Sequence, residues 1–570
     1  MINLQLVRLG LPTILLALLS LPAGAQSFRV QCPTSTITHP TAANNNTEPA
    51  YVGSTALALG ANGYLAPDLT SKTPNVNGAI KCQQISGGDG YATMGDGTQT
   101  YLFSFGPLSG IADIANGLPG TEFPNIFNST YAGPPLAPGE PATTDNAAPG
   151  GGQGITWPPA PNPQAFTYNG AIGQVPDPEA TGNPIDGHVD PRQIMDVGVM
   201  NGNIPAPLMA IDEDDEYFLT LTNVGMIMRP DLFEQHTVHF HGYPNASAFY
   251  DGVPDASVAI NIAASFTYYY LAPDAGTYFW HCHITPPEHL QMGMVGQIYV
   301  RPRQNRVPSS GTLFAALQTQ QTDLRTACSS ANDILCSNPL PAGGDNGKTG
   351  GYSGGVATKM FAYNDGDGTT QYDVEYPLQI HGFDPNFHFV GMTFNPEGFA
   401  DMKDKYFLLN GRSYPDTVTP GPLQTQSADG VEHFSQPLPA IINIPSGGKA
   451  LLRISDLDVV EYQTLASLGI PMTVIGYNAK LLRDQAGNNM YYATNSITLG
   501  GGESLDAILD ACQVRNATTG GCTTPIPDGT YYLYTPSLDH LSNDAENFGG
   551  LMTEVHVCTT YVAATKSCGA

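Results

Sequence analysis

The chain has 570 residues, enough for two or three domains, and a formal net charge of −29 at pH 7. An acidic surface of that size excludes nucleic acid and anionic membranes as natural partners and favours cations. Gly (63) and Pro (48) are abundant and sustained helical periodicity is scarce, which predicts an all-β architecture of short strands and turns.

Residues 1–25 carry the pattern of a secretory signal: Arg8, an apolar run over residues 9–21, and Ala23-Gly24-Ala25 as a cleavage site near Ala25. The apolar run is too short for a membrane span, and no later segment reaches spanning length. The expected location is a periplasm or the exterior. The cysteines agree with export. Cys282 lies inside the histidine-rich stretch below, and the other eight fall into pairs. These are Cys32 with Cys82, Cys328 with Cys336, Cys512 with Cys522 and Cys558 with Cys568, so up to four disulfides are expected. Residues 26–189 read as an irregular N-terminal extension with a Pro/Gly-rich linker at 133–163. Within it Tyr101-Leu-Phe-Ser-Phe predicts a strand and residues 110–116 a short helix, with no function attached.

Residues 190–305 read as a first domain, and it holds two histidine runs. The first is Gln-His-Thr-Val-His-Phe-His-Gly at 235–242, and the second is His-Cys-His-Ile-Thr-Pro-Pro-Glu-His-Leu-Gln-Met-Gly-Met at 281–294. Six of the thirteen histidines fall in these runs, too dense for ordinary core histidines. Strand predictions flank them at 216–223 and 263–271, with turns at 250–255 and 274–276. Side chains alternate faces along a strand. His239 and His241 therefore share a face, and His236 points to the other. His281 and His283 share a face, and Cys282 opposes them. One set is thus His236 and Cys282, joined by His289 and Met294 from the following loop. Two imidazoles, a thiolate and a thioether are the recipe of a blue-copper electron-transfer site. The other set, His239, His241, His281 and His283, suits copper and would also suit zinc. Met226, Met228 and Met292 nearby read first as packing, and second as a soft docking point for cuprous ions.

The two runs resemble the copper-binding signatures of multicopper oxidases, the family of laccase, ascorbate oxidase and ceruloplasmin. The motifs His-x-x-His-x-His-Gly and His-Cys-His-Ile-x-x-His-x-x-x-Gly-Met carry the resemblance. It implies that His236, Cys282, His289 and Met294 hold a type 1 copper. It further implies that His239 is a type 2 ligand and that His241, His281 and His283 are type 3 ligands. It also implies a Greek-key cupredoxin barrel with its ligands at one pole. The Cys282-to-His289 interval is two residues longer than the family's common spacing, and Pro286-Pro287 are expected to absorb the excess as a loop.

Residues 306–370 read as a connector, and 371–570 as a second, degenerate cupredoxin domain. Residues 461–471 align without a gap on 234–244. Glu, Thr, Gly and Pro coincide, while Gln463, Ala466 and Leu468 replace His236, His239 and His241. Likewise Tyr534, Thr535 and Pro536 replace His281, Cys282 and His283. His381, His388, His433, His540 and His556 show no ligand spacing. The expected fold is therefore tandem cupredoxin-like Greek-key barrels behind an irregular extension.

The resemblance implies a secreted copper oxidoreductase. A reducing substrate, a phenol or a metal ion, would be oxidised at the type 1 site. Electrons would pass through Cys282, His281 and His283 to a histidine-rich copper site where dioxygen is reduced. Domain 2 supplies no matching ligands, so a homo-oligomer is expected to complete the cluster at a site shared between chains. The alternatives are a blue-copper carrier or copper-binding protein without oxidase activity, and a nitrite-reductase-like type 1/type 2 copper enzyme.

Overall fold

The structure, a computed structural model, describes residues 30–128, 202–316 and 350–569, apart from 54, 62, 71–75, 227, 230, 243–246, 263, 273, 314–315, 392–397, 427–431 and 485. The expected signal sequence, the expected linker at 133–163 and the expected Cys328/Cys336 pair lie outside the described residues. The other three disulfides form as expected, Cys32–Cys82, Cys512–Cys522 and Cys558–Cys568, and Cys282 is a free, buried thiol. No helix among the described residues is long and apolar enough to cross a membrane.

The first barrel is two four-stranded sheets packed face to face. Its strands are β1 (Ile80–Thr93), β2 (Gln99–Pro107), β3 (Met209–Asp212), β4 (Glu216–Gly225), β5 (His239–Phe240), β6 (Ser265–Leu271), β7 (Gly276–His281) and β8 (Val295–Arg301). One sheet runs β2-β1-β4-β6 and the other β3-β8-β7-β5. β1 pairs with β4 in parallel, Ile80 opposite Glu216, and β8 pairs with β3 in parallel, Ile298 opposite Met209. The inner faces meet in a core that includes Phe103, Phe105, Leu219, Phe266, Tyr268, Trp280 and Ile298. Met226 and Met292 are buried in it, with Met228 packed against it.

This barrel extends the boundary expected from sequence. Half of one sheet, β1 and β2, comes from residues assigned to the N-terminal extension. The expected strand at Tyr101 is the middle of β2, and the expected short helix spans Ile111–Ala115. Ahead of β1, residues 30–51 pack against β1 and the start of β4. Cys32 is tied to Cys82, and His39 Nδ1 sits 3.0 Å from the Glu216 carboxylate.

The second barrel repeats the plan. Its strands are β9 (Val374–Phe383), β10 (Tyr406–Leu409), β11 (Ile442–Pro445), β12 (Lys449–Asp456), β13 (Gln463–Leu468), β14 (Met472–Tyr477), β15 (Ser496–Leu499), β16 (Ser504–Asp510), β17 (Gly529–Tyr534) and β18 (Met552–Cys558). One sheet contains β10-β9-β12-β16-β14 in that order, and the other runs β11-β18-β17-β13-β15. Parallel pairs recur at β9/β12 and β11/β18. These are the tandem cupredoxin-like barrels expected from sequence.

A polar seam joins the barrels. Gln297 donates to the Arg453 carbonyl at 2.9 Å, and Thr277 donates to Asp506 at 2.6 Å. Glu375 lies between Arg301 of the first barrel (2.7 Å) and Arg453 of the second (3.0 Å). The two guanidinium groups outweigh burial and hold its carboxyl well below the usual range.

Candidate metal centres

Cys282 follows the last residue of β7, so its backbone is placed by the sheet. Its N–H donates to the Met294 carbonyl at 3.0 Å, closing the intervening loop onto the strand. That loop is not irregular as expected. Residues Pro286–Gln291 form a helix, α1, that begins with Pro286 and Pro287. The fixed φ of proline suits a first helical turn, where its missing N–H costs nothing. The two extra residues are thus absorbed as helix, which delivers His289 to the strand end.

The ligating atoms of His236, Cys282 and His289 all lie within 4.8 Å of one another. His289 Nδ1 is 3.2 Å from Cys282 Sγ, and the His236 and His289 rings are 5.3 Å apart. All three residues and Met294 are fully buried. Burial and the neighbouring His289 hold His236 neutral, well below its ordinary pKa. Burial pushes His289 down as well, but Cys282 and then Glu234 outweigh it and raise it to about 9. The place beside Cys282 therefore favours positive charge. Neither nitrogen of His236 has a hydrogen-bond partner. An orphaned polar pair at such depth is costly and rare. Two imidazoles around a thiol, one of them unpartnered, fit a thiophilic metal with an open place for it. The floor of this site comes from β1 and β2. Phe103 and Phe105 meet His289 and His236 edge-on, and a Cβ at Gly87 would stand 2.7 Å from the His236 ring. Sequence reasoning missed this role, although the strand over Tyr101 was legible.

The second set lies on the opposite face of β5 and β7. His239 pairs with His281 across the two strands, and the ligating atoms of His239, His241 and His281 lie within 4.8 Å of one another. Each ring spends one hydrogen bond on main chain. His239 Nδ1 meets the Asp251 carbonyl at 2.7 Å, His281 Nδ1 meets the Cys282 carbonyl at 2.6 Å, and His241 bonds the Gly502 main chain. A nitrogen that donates to a carbonyl leaves the other with a bare lone pair, the tautomer a metal needs. The freed Nε2 atoms of His241 and His281 stand 2.9 Å apart. Burial holds His281 well below its ordinary pKa and brings His241 to about 4, so both are neutral near pH 7. The His283 ring lies 5.1 Å from that of His239 and 5.5 Å from that of His281, at the margin of the set. Gly252 allows the Asp251 turn to lie on β5, since a Cβ there would stand 1.9 Å from the Val238 carbonyl oxygen.

The matching pole of the second barrel holds other residues. Ala466 pairs with Tyr534 as His239 pairs with His281. Thr535 N–H donates to the Leu551 carbonyl at 2.9 Å, as Cys282 does to Met294. Gln463, Thr535 and Leu551 thus stand where the first barrel has His236, Cys282 and Met294. The expectation that no histidine there has ligand spacing is corrected for His540. It lies five residues after Thr535, its Nδ1 is 3.1 Å from Gln463 Oε1, and its Nε2 is 3.0 Å from Glu461. In the first barrel Glu234 faces His289 Nε2 at 3.8 Å. Among the described residues, no histidine of the second barrel joins the His239 set.

A multicopper oxidase family model matches residues 186–305. Laccase abr2 of Aspergillus fumigatus is 30% identical over 128 residues, which are 22% of this chain and 20% of that protein. Multicopper oxidase MCE of Talaromyces pinophilus is 32% identical over 122 residues, 21% of this chain and 19% of that protein. A copper-containing nitrite reductase of Rhizobium meliloti is 33% identical over 116 residues, 20% of this chain and 27% of that protein. Among solved structures, a blue copper oxidase from Nitrosomonas europaea aligns at 20% identity with a TM-score of 0.39, covering 63% of this chain and 78% of that one. The chain spans about a fifth of the length of the two oxidases it matches. Residues 186–305, the span that carries both histidine sets, are thus similar to the multicopper oxidase family.

Proposed function

We propose that the protein is an exported copper-dependent oxidoreductase. His236, Cys282, His289 and Met294 would hold a type 1 copper, and His239, His241, His281 and His283 would hold copper of the type 2/type 3 kind. Bound copper would supply one-electron oxidation of a phenol or metal-ion substrate at the first set and dioxygen reduction at the second. The observation that carries this reading is the place of Cys282 in the chain. It belongs to one donor set, while its bonded neighbours His281 and His283 belong to the other, and His281 also bonds the Cys282 carbonyl. This gives a short covalent path between a buried donor set and a partly buried one on opposite faces of one sheet. His236 or His289 would be the entry point for electrons, and Phe105 and Phe103 pack edge-on against their rings. Three disulfides support an oxidising compartment.

The second set offers half of a family-type cluster, and His239, His241 and His283 are not fully buried. A second copy of the first barrel across a two-fold axis would bring the same set to face it, and two-fold pairs are the commonest oligomers. A second reading, a nitrite-reductase-like enzyme or an electron carrier, draws on the missing half set and on the nitrite reductase match. Dioxygen uptake by the copper-loaded protein with a phenol, a ferrous salt or a cuprous salt, sized in parallel by light scattering, separates the readings. Uptake by an oligomer supports the shared cluster. A strictly monomeric protein that consumes dioxygen overturns the sharing. Copper binding with nitrite turnover and no dioxygen uptake overturns the oxidase.

A further inference from the structure

The second barrel holds none of the identified metal donors, yet three of its side chains reach into the loop that carries His289 and Met294. Helix α1 ends at Gln291, and the last carbonyls of a helix lack intrahelical partners. His381, on β9, places Nε2 3.0 Å from the Leu290 carbonyl oxygen, while its Nδ1 has no partner. That fixes the neutral tautomer with the proton on Nε2, so His381 donates to Leu290. His388, in the helix α2 (Pro385–Gly391), places Nε2 2.9 Å from the Gln291 carbonyl oxygen and Nδ1 2.7 Å from that of Tyr101. Its ring lies flat on Phe383 at 3.7 Å. Gln291 Nε2 donates to Asp404 at 2.8 Å. All three groups are buried or nearly so, and the single N–H of a neutral His388 is shared between the loop carbonyl of Gln291 and the Tyr101 carbonyl of β2, the floor of the Cys282 site.

We propose that the second barrel is a clamp on the metal loop. His381, His388 and Asp404 are positioning residues that hold α1, and with it His289 and Met294, at the Cys282 site. The inference rests on the copper reading for its spectroscopic consequence but not for its mechanical one. Partners beyond the ligands tune metal retention as the ligands do, and losing one typically costs about 10- to 100-fold in affinity. The clamp also gives a reason for a domain without donors to be retained against the first.

The test uses His388→Phe, which keeps the ring stack on Phe383 and removes both nitrogens. Gln291→Leu breaks the Asp404 bond from the other side. Asp404→Asn keeps an acceptor oxygen for Gln291, and Asp404→Leu removes it. In the metal-free full-length protein, amide hydrogen exchange over residues 287–294 is expected to be about tenfold faster in His388→Phe, Gln291→Leu and Asp404→Leu. Asp404→Asn should restore the wild-type rate. In the copper-loaded protein the same three variants should shift the optical band of the Cys282 site and lose copper to a chelator about tenfold faster. Unchanged exchange in a folded His388→Phe and Gln291→Leu overturns the clamp, whether or not the protein is coloured. Should His388→Phe not fold, Gln291→Leu decides. A wild-type protein that takes up copper without colour overturns the site assignment, and the exchange comparison still tests the clamp by itself.

Discussion

Gly502 offers a way to disable one metal set without touching the other. It belongs to the second barrel, has φ +91°, and its main chain bonds His241. A Cβ at this position would stand 3.0 Å from His241 Nδ1 and 3.1 Å from Cε1. Gly502→Ala therefore carries two costs. A positive φ costs an L-residue about 1–2 kcal/mol. The imidazole must also retreat by a few tenths of an ångström to reach ordinary contact, about 3.5 Å. It has little room to do so, because Phe279 packs edge-on against it at 4.7 Å and His281 Nε2 lies 2.9 Å from its own Nε2. Losing this support should weaken metal binding at the His239 set by about 10- to 100-fold, the usual cost of an outer-shell partner. The Cys282 set faces the other side of β7 and should keep its metal. The assay is copper per chain after dialysis against graded chelator, read together with the visible band. A variant that keeps all its copper, or that loses the visible band along with it, would refute the assignment of Gly502 to the second set alone.

Further expectations are independent of that one. Cys282→Ser should leave the fold intact, remove any blue band and reduce the copper count; a variant as blue as the parent would show that another sulfur is the ligand. Burial pushes Glu216 up, but donors from His39, Thr36 and Thr38 outweigh it and hold it at about 2, against an ordinary 4.5. A depressed carboxylate contributes stability that is full above about pH 4.5 and lost as pH falls from there towards 2. That lowering is worth about 3 kcal/mol. Denaturant melts of wild type and Glu216→Gln should therefore differ near pH 7 and converge near pH 2; parallel curves would contradict the stabilising role of this carboxylate. His540→Gln and His556→Gln should bind as much copper as the parent, because the second-barrel pole has Gln463, Thr535 and Leu551 at its other ligand positions. Metal analysis showing a loss in either would reveal a ligand there.

Much of the site was legible because it is written at strand period. At a period of two, odd intervals put His236 opposite His239 and His241, and Cys282 opposite its flanking histidines, and the structure gathers the two sets separately. The degenerate second barrel was legible through the same register, down to Ala466 in the place of His239. The contribution of residues 80–107 was not. β1 pairs with a strand well over a hundred residues downstream, and a parallel pairing at that separation leaves no local pattern. The importance of Gly87 and Phe105 becomes visible only when His236 lies against them. The loop after Cys282 was misjudged because Pro286-Pro287 signals a turn and a helix start equally well. The clamp of His381 and His388 could not be read at all, since their partners are main-chain carbonyls, which carry no residue identity.

The most direct measurement is copper per chain in the purified, copper-loaded protein, with optical and spin-resonance spectra of the oxidised form. One copper giving an intense blue band from Cys282, with further copper that contributes no such band, is the expected result. Copper bound without colour, or colour with a single copper per chain and none at the His239 set, would contradict the two-site reading.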